Sequence, residues 1–326
     1  MSRAAVVGGG VIGSGWTARF LLHGWDVAYF DPAPASAERL DRVLETARRS
    51  LAALYDNALP EPGTLTVAAS LAEAVTGADW VQESVPESLD VKRSVLKEIE
   101  AAATAETILA SSTSGFRPSA LAEGLTHPER FSVCHPFNPV YLLPLVEVVP
   151  GSATAPATVE RTAGILTELA MKPLIVRREI DAHIADRLLE AVWREALWLV
   201  KDGVATTEEI DTAITYGFGP RWAQMGLFET YRIAGGEAGM AHFLAQFGPA
   251  LEWPWSRLTD VPEMDGSLIS TITEQSDAQS GARSISELES ARDENLVGIL
   301  RALRANRWGA GELVNGWLAD GRAEER

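Results

Sequence analysis

A doubly wound, mainly parallel α/β fold of Rossmann type, followed by an all-helical second half, is what this 326-residue sequence predicts. Three observations carry the prediction. A short apolar run over residues 4–7 leads straight into a glycine-rich turn, GGGVIG, and then into helical apolar spacing. Up to about residue 180, short strand-like runs alternate with helical ones, the pattern of a sheet covered on both faces. Beyond that point the strand signal stops. The length suits two domains better than one core, and the boundary is drawn between 1–180 and 181–326.

Taken in order, residues 4–7 read as a strand, and helical spacing over 16–22 ends at Gly24. A second strand over 26–30 closes on Asp31 and Pro32. Strand, glycine turn, helix and strand make the first half of a dinucleotide-binding unit. Gly8, Gly10 and Gly13 keep the GxGxxG spacing, which provides a tight turn, backbone approach to a pyrophosphate and close helix packing. The phosphate charge belongs at the helix N-terminus, beside Val11 and Ile12. Asp31 can accept from both ribose hydroxyls of NAD and repels a 2′-phosphate, while Pro32, Ala33 and Pro34 offer no arginine for NADP. The expected cofactor is NAD.

An amphipathic helix follows over 36–55, then a loop through Pro60 and Pro62. Strands are expected at 66–68, 80–82, 108–110, 131–134, 146–149 and 174–176, with helices at 71–75, 89–103, 118–125 and 157–169. In the second half a long helix covers 184–200. Thr206 and Glu209 form a capping box opening a helix that ends near Gly217. Ser284 and Glu287 repeat the device ahead of Leu288, Leu296, Ile299, Leu300 and Leu303 on one helical face.

The formal net charge of −17 argues against a nucleic-acid partner, because neutralising phosphates needs clustered Lys and Arg. Residues 1–180 carry 15 basic and 21 acidic side chains, and residues 181–326 carry 13 and 24, so the second half is the more acidic. That is either a solvated surface or a field that prefers a cationic substrate. The lone Cys134 cannot close an internal disulfide, which fits a reducing cytoplasm. No apolar run is long enough to span a bilayer, so a soluble, unexported chain with no membrane partner is expected. His23, His127, His183 and His242 show no ligand spacing, and no metal site is expected.

Chemistry concentrates between Ser111 and Glu147, a span that opens on SSTSG and closes on CHPFNPVYLLPLVE. Oxidising a secondary alcohol needs a base for the hydroxyl proton as hydride leaves carbon, and histidine titrates in the right range. A carboxylate on its far nitrogen fixes the tautomer. His135, Glu147 and Ser114 supply a base, a carboxylate and a hydroxyl that can hold the substrate oxygen. Each has a plainer reading: Ser114 as a turn or cap serine, Glu147 as a solvent-facing strand residue, His135 as a structural histidine. Cys134 and His135 are strand neighbours and point to opposite faces, which favours a buried cysteine over a thiol dyad.

With the glycine fingerprint, the VPE segment at 85–87, the SSTSG turn and the HPFNP run all in order, the chain resembles the 3-hydroxyacyl-CoA dehydrogenase superfamily. The resemblance covers the nucleotide domain and the first helices after it. It implies that Ser114 binds substrate, His135 is the catalytic base and Glu147 its paired carboxylate. Glu87 and Lys92 match residues near the nicotinamide ribose. The helical second half resembles the dimerisation region, which implies a homodimer. One position departs: where the superfamily usually has asparagine in an NRL sequence, this chain has Asp186 before Arg187 and Leu188.

Three features are similar to the members that act on L-carnitine: HPFNPVYLLPLVEVV, the HIADRL departure and the run over 216–240. Members that act on L-gulonate are similar also, and a 3-hydroxyacyl-CoA remains a further alternative. A CoA ester is strongly anionic, and the second half shows no basic cluster for its phosphates. The expected reaction is therefore NAD-dependent oxidation of the C3 hydroxyl of L-carnitine. A cage for its quaternary ammonium is expected among Tyr141, Trp193, Trp198, Trp222, Phe228 and Tyr231, at roughly 0.5–2 kcal/mol per good contact, with the plainer reading for most of them being core or subunit interface. Asp186 is expected either to favour a cation or to keep the asparagine's hydrogen-bonding role, and Arg221 or Lys201 is expected to meet the carboxylate. Trp253 and Trp255, around Pro254, read as an interface anchor or a buried turn. A nucleotide-binding protein without catalysis is the other class, and the complete Ser114, His135 and Glu147 set counts against it.

Overall fold

The computed structural model describes residues 2–56, 58–234, 239–248, 254–257, 263, 265–271, 274, 285–307, 311 and 314. Its sheet is built from β1 (Arg3–Val7), β2 (Asp26–Phe30), β3 (Leu65–Val67), β4 (Trp80–Glu83), β5 (Ile108–Ser111), β6 (Phe131–Pro136), β7 (Leu145–Pro150) and β8 (Lys172–Ile175). They lie in the order β3-β2-β1-β4-β5-β6-β7-β8. All neighbours run parallel except β6 and β7, which are antiparallel. The chain order reverses direction between β1 and β4, the topological switch point where ligands bind at the carboxyl ends of strands.

Period-two alternation divides the central strands between two cores. Ala4, Val6, Trp80, Ile108, Ala110, Cys134, Val146 and Val148 face one side. There they meet Trp16, Phe20 and Leu21 of α1 (Val11–Leu22), Leu40, Leu44 and Leu51 of α2 (Ser36–Leu54), and Leu166. Ala5, Val7, Val81, Leu109, Phe131, Val133 and Val149 face the other. They meet Val75 of α3 (Leu71–Val75), Leu96 and Ile99 of α4 (Leu89–Ala102), and Leu121 of α5 (Pro118–Leu121). Leu166 belongs to α6 (Pro156–Glu168), which leads into β8.

Two helices differ from expectation for local reasons. α1 starts at Val11, five residues before the expected 16, because Gly13, Ser14 and Gly15 have low helix propensity and mask its first turn. α5 stops at Leu121 instead of 125, since Gly124 takes a φ of +86° and turns the chain.

The glycine turn is closed by backbone proximity. Gly8 has a φ of +100°, and a Cβ on Gly13 would stand 1.8 Å from the Gly8 carbonyl oxygen. A backbone atom cannot swing aside. Gly13→Ala is expected to destabilise the fold by about 1–3 kcal/mol and to abolish NADH binding, checked by thermal unfolding and by NADH fluorescence titration.

By packing, the chain divides into Met1–Asp186 with Ser290–Arg326, and Arg187–Glu289. The returning segment carries α11 (Ile285–Asn306) into the first unit. Val297 and Leu300 join the same core as Trp16 and Leu40, Leu296 packs against it, and Asp293 accepts the Tyr141 hydroxyl at 2.5 Å. Arg304 pairs with Asp56 and donates to the Leu54 carbonyl at 3.3 Å. Ile299, expected on the buried face, is 45% exposed, because the buried stripe runs through 293, 296, 297 and 300. Ser284 and the side chain of Leu288 lie outside the described residues, as do Glu252 and Trp253; Trp255 is 69% exposed.

The described secondary structure of the second unit is all helical. α7 (Ala185–Lys201) enters it, and α8 (Thr207–Ala213) opens on the expected capping box, with Thr206 and Glu209 bonded reciprocally. The helix does not end at Gly217. That glycine stays helical, and a π turn (Ile214–Phe218) runs on into α9 (Gly219–Ala234), which kinks at Gly226, φ +72°. α10 (Gly239–Phe247) follows, its Phe243 stacked on Tyr231 with ring centroids 4.7 Å apart. No helix among the described residues is long and apolar enough to cross a membrane.

Candidate active site

Antiparallel pairing of β6 and β7 sets the centre of the site. Their register puts His135 directly opposite Glu147, so both side chains leave the sheet on the same face. His135 Nδ1 lies 2.9 Å from Glu147 Oε2, with both residues buried. The other oxygen, Oε1, accepts the N–H groups of Ile184 at 2.9 Å and Ala185 at 3.0 Å, at the start of α7. Burial would raise the carboxyl's pKa, but these hydrogen bonds and the His135 ring outweigh it and hold the group below its ordinary value. An ionised carboxylate only accepts, so Nδ1 carries the ring proton and Nε2 is left to exchange one. Glu147 is thus not a solvent-facing strand residue. Cys134, one residue away, faces the opposite core, and burial pushes its thiol up to about 12.

Nε2 of His135 looks toward Asp186, whose Oδ2 is 3.8 Å away. The Phe137 ring lies 4.8 Å from the imidazole, centroid to centroid, and the His183 ring 5.6 Å. The histidine therefore stands between two carboxylates, one at each nitrogen.

Ser114 sits on the turn after β5, held from below by Glu87. One oxygen of Glu87 accepts the Thr113 hydroxyl and the N–H groups of Ser114 at 3.2 Å and Gly115 at 3.1 Å. The other pairs with Lys92 Nζ at 3.2 Å. Burial opposes the charge on Glu87, and the Thr113 hydroxyl, Lys92 and the Gly115 N–H together hold its pKa below the usual value. Lys92 is itself buried, and its ammonium also meets Glu83 Oε1 at 3.0 Å and the Val85 carbonyl at 3.1 Å. All three of its donors are thereby used inside the protein. Among the described residues, no hydrogen bond joins the Ser114 hydroxyl to His135.

At the switch point, Asp31 Oδ2 accepts the Gly9 N–H at 2.5 Å and Oδ1 the Ala33 N–H at 2.7 Å, which fixes the carboxylate at the rim of the glycine turn. Gly10 is the N-cap of α1 and gives no side-chain cap, so the first N–H groups, at Val11, Ile12 and Gly13, face outward from the turn. A turn closed by Gly8 and Gly13, a helix N-terminus and an acid at the end of β2 fit a dinucleotide's pyrophosphate and adenosine ribose.

Three residues of the site were not expected from sequence. Glu83 anchors Lys92 and accepts the Ser111 hydroxyl at 2.5 Å; the signal was an acid at the carboxyl end of β4. Thr113 ties Glu87 to the serine turn. His183 is fully buried, with Nε2 donating to the Thr113 carbonyl at 3.3 Å, and burial holds its pKa below the ordinary histidine value. Ala182 N–H bonds the Gly115 carbonyl at 3.1 Å. Ala182 and His183 both have positive φ, 60° and 49°, which turns the chain to clip the Ser114 loop and then present two N–H groups to Glu147.

One expected residue is not brought to this centre. Tyr141 packs in the core on the Cys134 side of the sheet, its hydroxyl on Asp293. Trp198, in the second unit, lies under two cations, Lys201 and Arg257, each 4.7 Å from its ring centroid. Trp222, 38% exposed, has Phe218 beside it at 4.5 Å between centroids.

A dinucleotide cradle at the switch point, with a histidine–carboxylate pair on neighbouring strands, defines an NAD-binding protein of the dehydrogenase class. Residues 3–180 match the NAD binding domain of 3-hydroxyacyl-CoA dehydrogenase, and residues 183–262 match its C-terminal domain. The chain belongs to the 3-hydroxyacyl-CoA dehydrogenase family. It is 62% identical over 312 residues to an L-carnitine dehydrogenase/betainyl-CoA thioesterase of Agrobacterium fabrum, covering 96% of this chain and 64% of that protein. The chain thus spans slightly less than two thirds of the length of that relative. An L-carnitine dehydrogenase of Mesorhizobium japonicum is 54% identical over 318 residues, 96% of this chain and 87% of the relative. Among solved structures, an NAD-dependent 5-formyl-3-hydroxy-2-methylpyridine 4-carboxylic acid 5-dehydrogenase superposes with a TM-score of 0.77 at 29% identity. That match covers 93% of this chain and 99% of that one.

Proposed function

We propose that this protein oxidises the C3 hydroxyl of L-carnitine to the ketone, with His135 as general base. The buried His135–Glu147 pair carries the reading, because it leaves Nε2 as the one ring atom able to accept a proton. The names of the two bacterial relatives support the substrate. NAD, when bound, supplies the hydride acceptor. His135 Nε2 takes the hydroxyl proton, and Glu147 stabilises the resulting imidazolium. Ser114, oriented through Glu87, holds the substrate oxygen; Lys92 acts on the cofactor side through Glu87. Asp31 selects the unphosphorylated ribose.

Asp186 places a negative charge beside the reacting nitrogen, where it attracts the trimethylammonium group and repels an anionic ester. The helical second domain serves substrate binding and dimerisation. The protein works as a homodimer in the cytoplasm. NADH formation with L-carnitine, L-gulonate and 3-hydroxybutyryl-CoA tests the assignment. Turnover of carnitine is expected to exceed the others in kcat/KM. Preference for either alternative overturns the substrate, and no turnover of any of the three leaves a binding protein without catalysis.

A further inference from the structure

We infer that Asp186 is the proton acceptor that empties His135 after each turnover, the route by which the alcohol proton leaves the buried site. The inference rests on the reading of His135 as general base. It follows from asking where the proton goes next.

When the alcohol is oxidised, the O–H proton moves to His135 Nε2 and the C3 hydrogen departs as hydride with its electron pair. The imidazolium then holds one proton too many for another cycle. Glu147 cannot carry it away. It is fully buried, one oxygen is committed to His135 Nδ1, and the other accepts two backbone N–H groups from α7. His183 does not carry it away either: the ring is fully buried, which opposes its charged form and leaves it no path to solvent. Asp186 differs in position and in exposure. Its carboxylate lies on the Nε2 side, and its side chain is 27% exposed while that of His135 is 7% exposed.

The separation of 3.8 Å suits the sequence of events. It exceeds a hydrogen bond, so Asp186 does not compete with the substrate hydroxyl for Nε2. A shift of less than 1 Å, or one bridging water, closes it once the ketone has formed. The Nε2–H bond then breaks, an Asp186 O–H bond forms, and the carboxylic acid releases its proton to solvent. One proton and no electrons are moved. Glu147 and Asp186 thus divide the work at the two ring nitrogens, one holding the tautomer and one clearing the proton.

Asp186→Asn keeps the shape and removes the acceptor. In stopped-flow oxidation of saturating carnitine followed by NADH absorbance and a pH indicator, the variant's first-turnover NADH burst is expected to slow far less than its steady-state turnover. Proton release and steady-state kcat are expected to fall by roughly tenfold to a hundredfold. Added imidazole is expected to restore much of the loss in the variant and to leave wild type unchanged. NADH fluorescence titration is expected to be unaltered, showing an intact cradle. A burst slowed as much as steady-state turnover, an unchanged kcat, or a loss that imidazole does not rescue overturns the proposal; a raised KM with unchanged kcat leaves Asp186 only its cation-attracting role. Wild type that oxidises none of the three test alcohols overturns the parent reading as well, which separates the two failures.

Discussion

Glu147→Gln is expected to lower kcat about 10²- to 10⁴-fold by reversing the histidine tautomer. The amide has one acceptor oxygen, and two backbone N–H groups, from Ile184 and Ala185, already demand an acceptor at one of the two positions. Its NH₂ group is then driven to the other position, opposite His135 Nδ1, where it donates instead of accepting. The imidazole must answer with a bare Nδ1 and a proton on Nε2, and the base is lost at the atom that faces Asp186. The loss is expected in kcat, with NADH affinity held, as measured by steady-state kinetics beside fluorescence titration. Wild-type kcat in the variant rules out the pairing as the source of the base.

The same substitution has an acid signature. Glu147 is held below its ordinary pKa in the folded protein, so the unfolded chain binds its proton more readily than the folded one. Its stabilisation is therefore fully present above the ordinary carboxylate range, near pH 4.3, and is lost as pH falls through its lower folded value. Chemical denaturation at descending pH is expected to show wild type losing stability over that interval and Glu147→Gln losing less. Equal acid sensitivity in the two proteins removes Glu147 from the linkage.

His135→Gln is expected to abolish measurable turnover, a loss of at least about 10²- to 10⁴-fold, while NADH still binds. Glutamine retains a donor for Glu147 Oε2, so no buried charge is stranded and the β6–β7 register is kept. What disappears is a ring nitrogen that can take the hydroxyl proton. Steady-state assay with L-carnitine, together with NADH titration and a thermal melt, separates loss of chemistry from loss of fold. Turnover near wild type excludes His135 as the base.

The sequence by itself determined the sheet, the dinucleotide turn and the short list of reactive residues, because these depend on local rules. Period-two alternation wrote both cores into β1, β4, β5 and β6, and the spacing of Gly8, Gly10 and Gly13 wrote the turn. Where local signals were weak, the reading slipped: the glycines of α1 hid its first turn, and Gly217 looked like a stop although its backbone stays helical. Only the tertiary structure decided that Glu147 faces His135 and not solvent, since strand register is a long-range property. It also decided that Tyr141 belongs to the core with Asp293 and that Glu83 and His183 support the site. Partners 152 residues apart in the chain, as Tyr141 and Asp293 are, leave no periodic trace in it. Propensity and pattern act over a few residues, whereas the contacts that orient a base, and that set a second carboxylate at its free nitrogen, exist only after the chain has closed on itself.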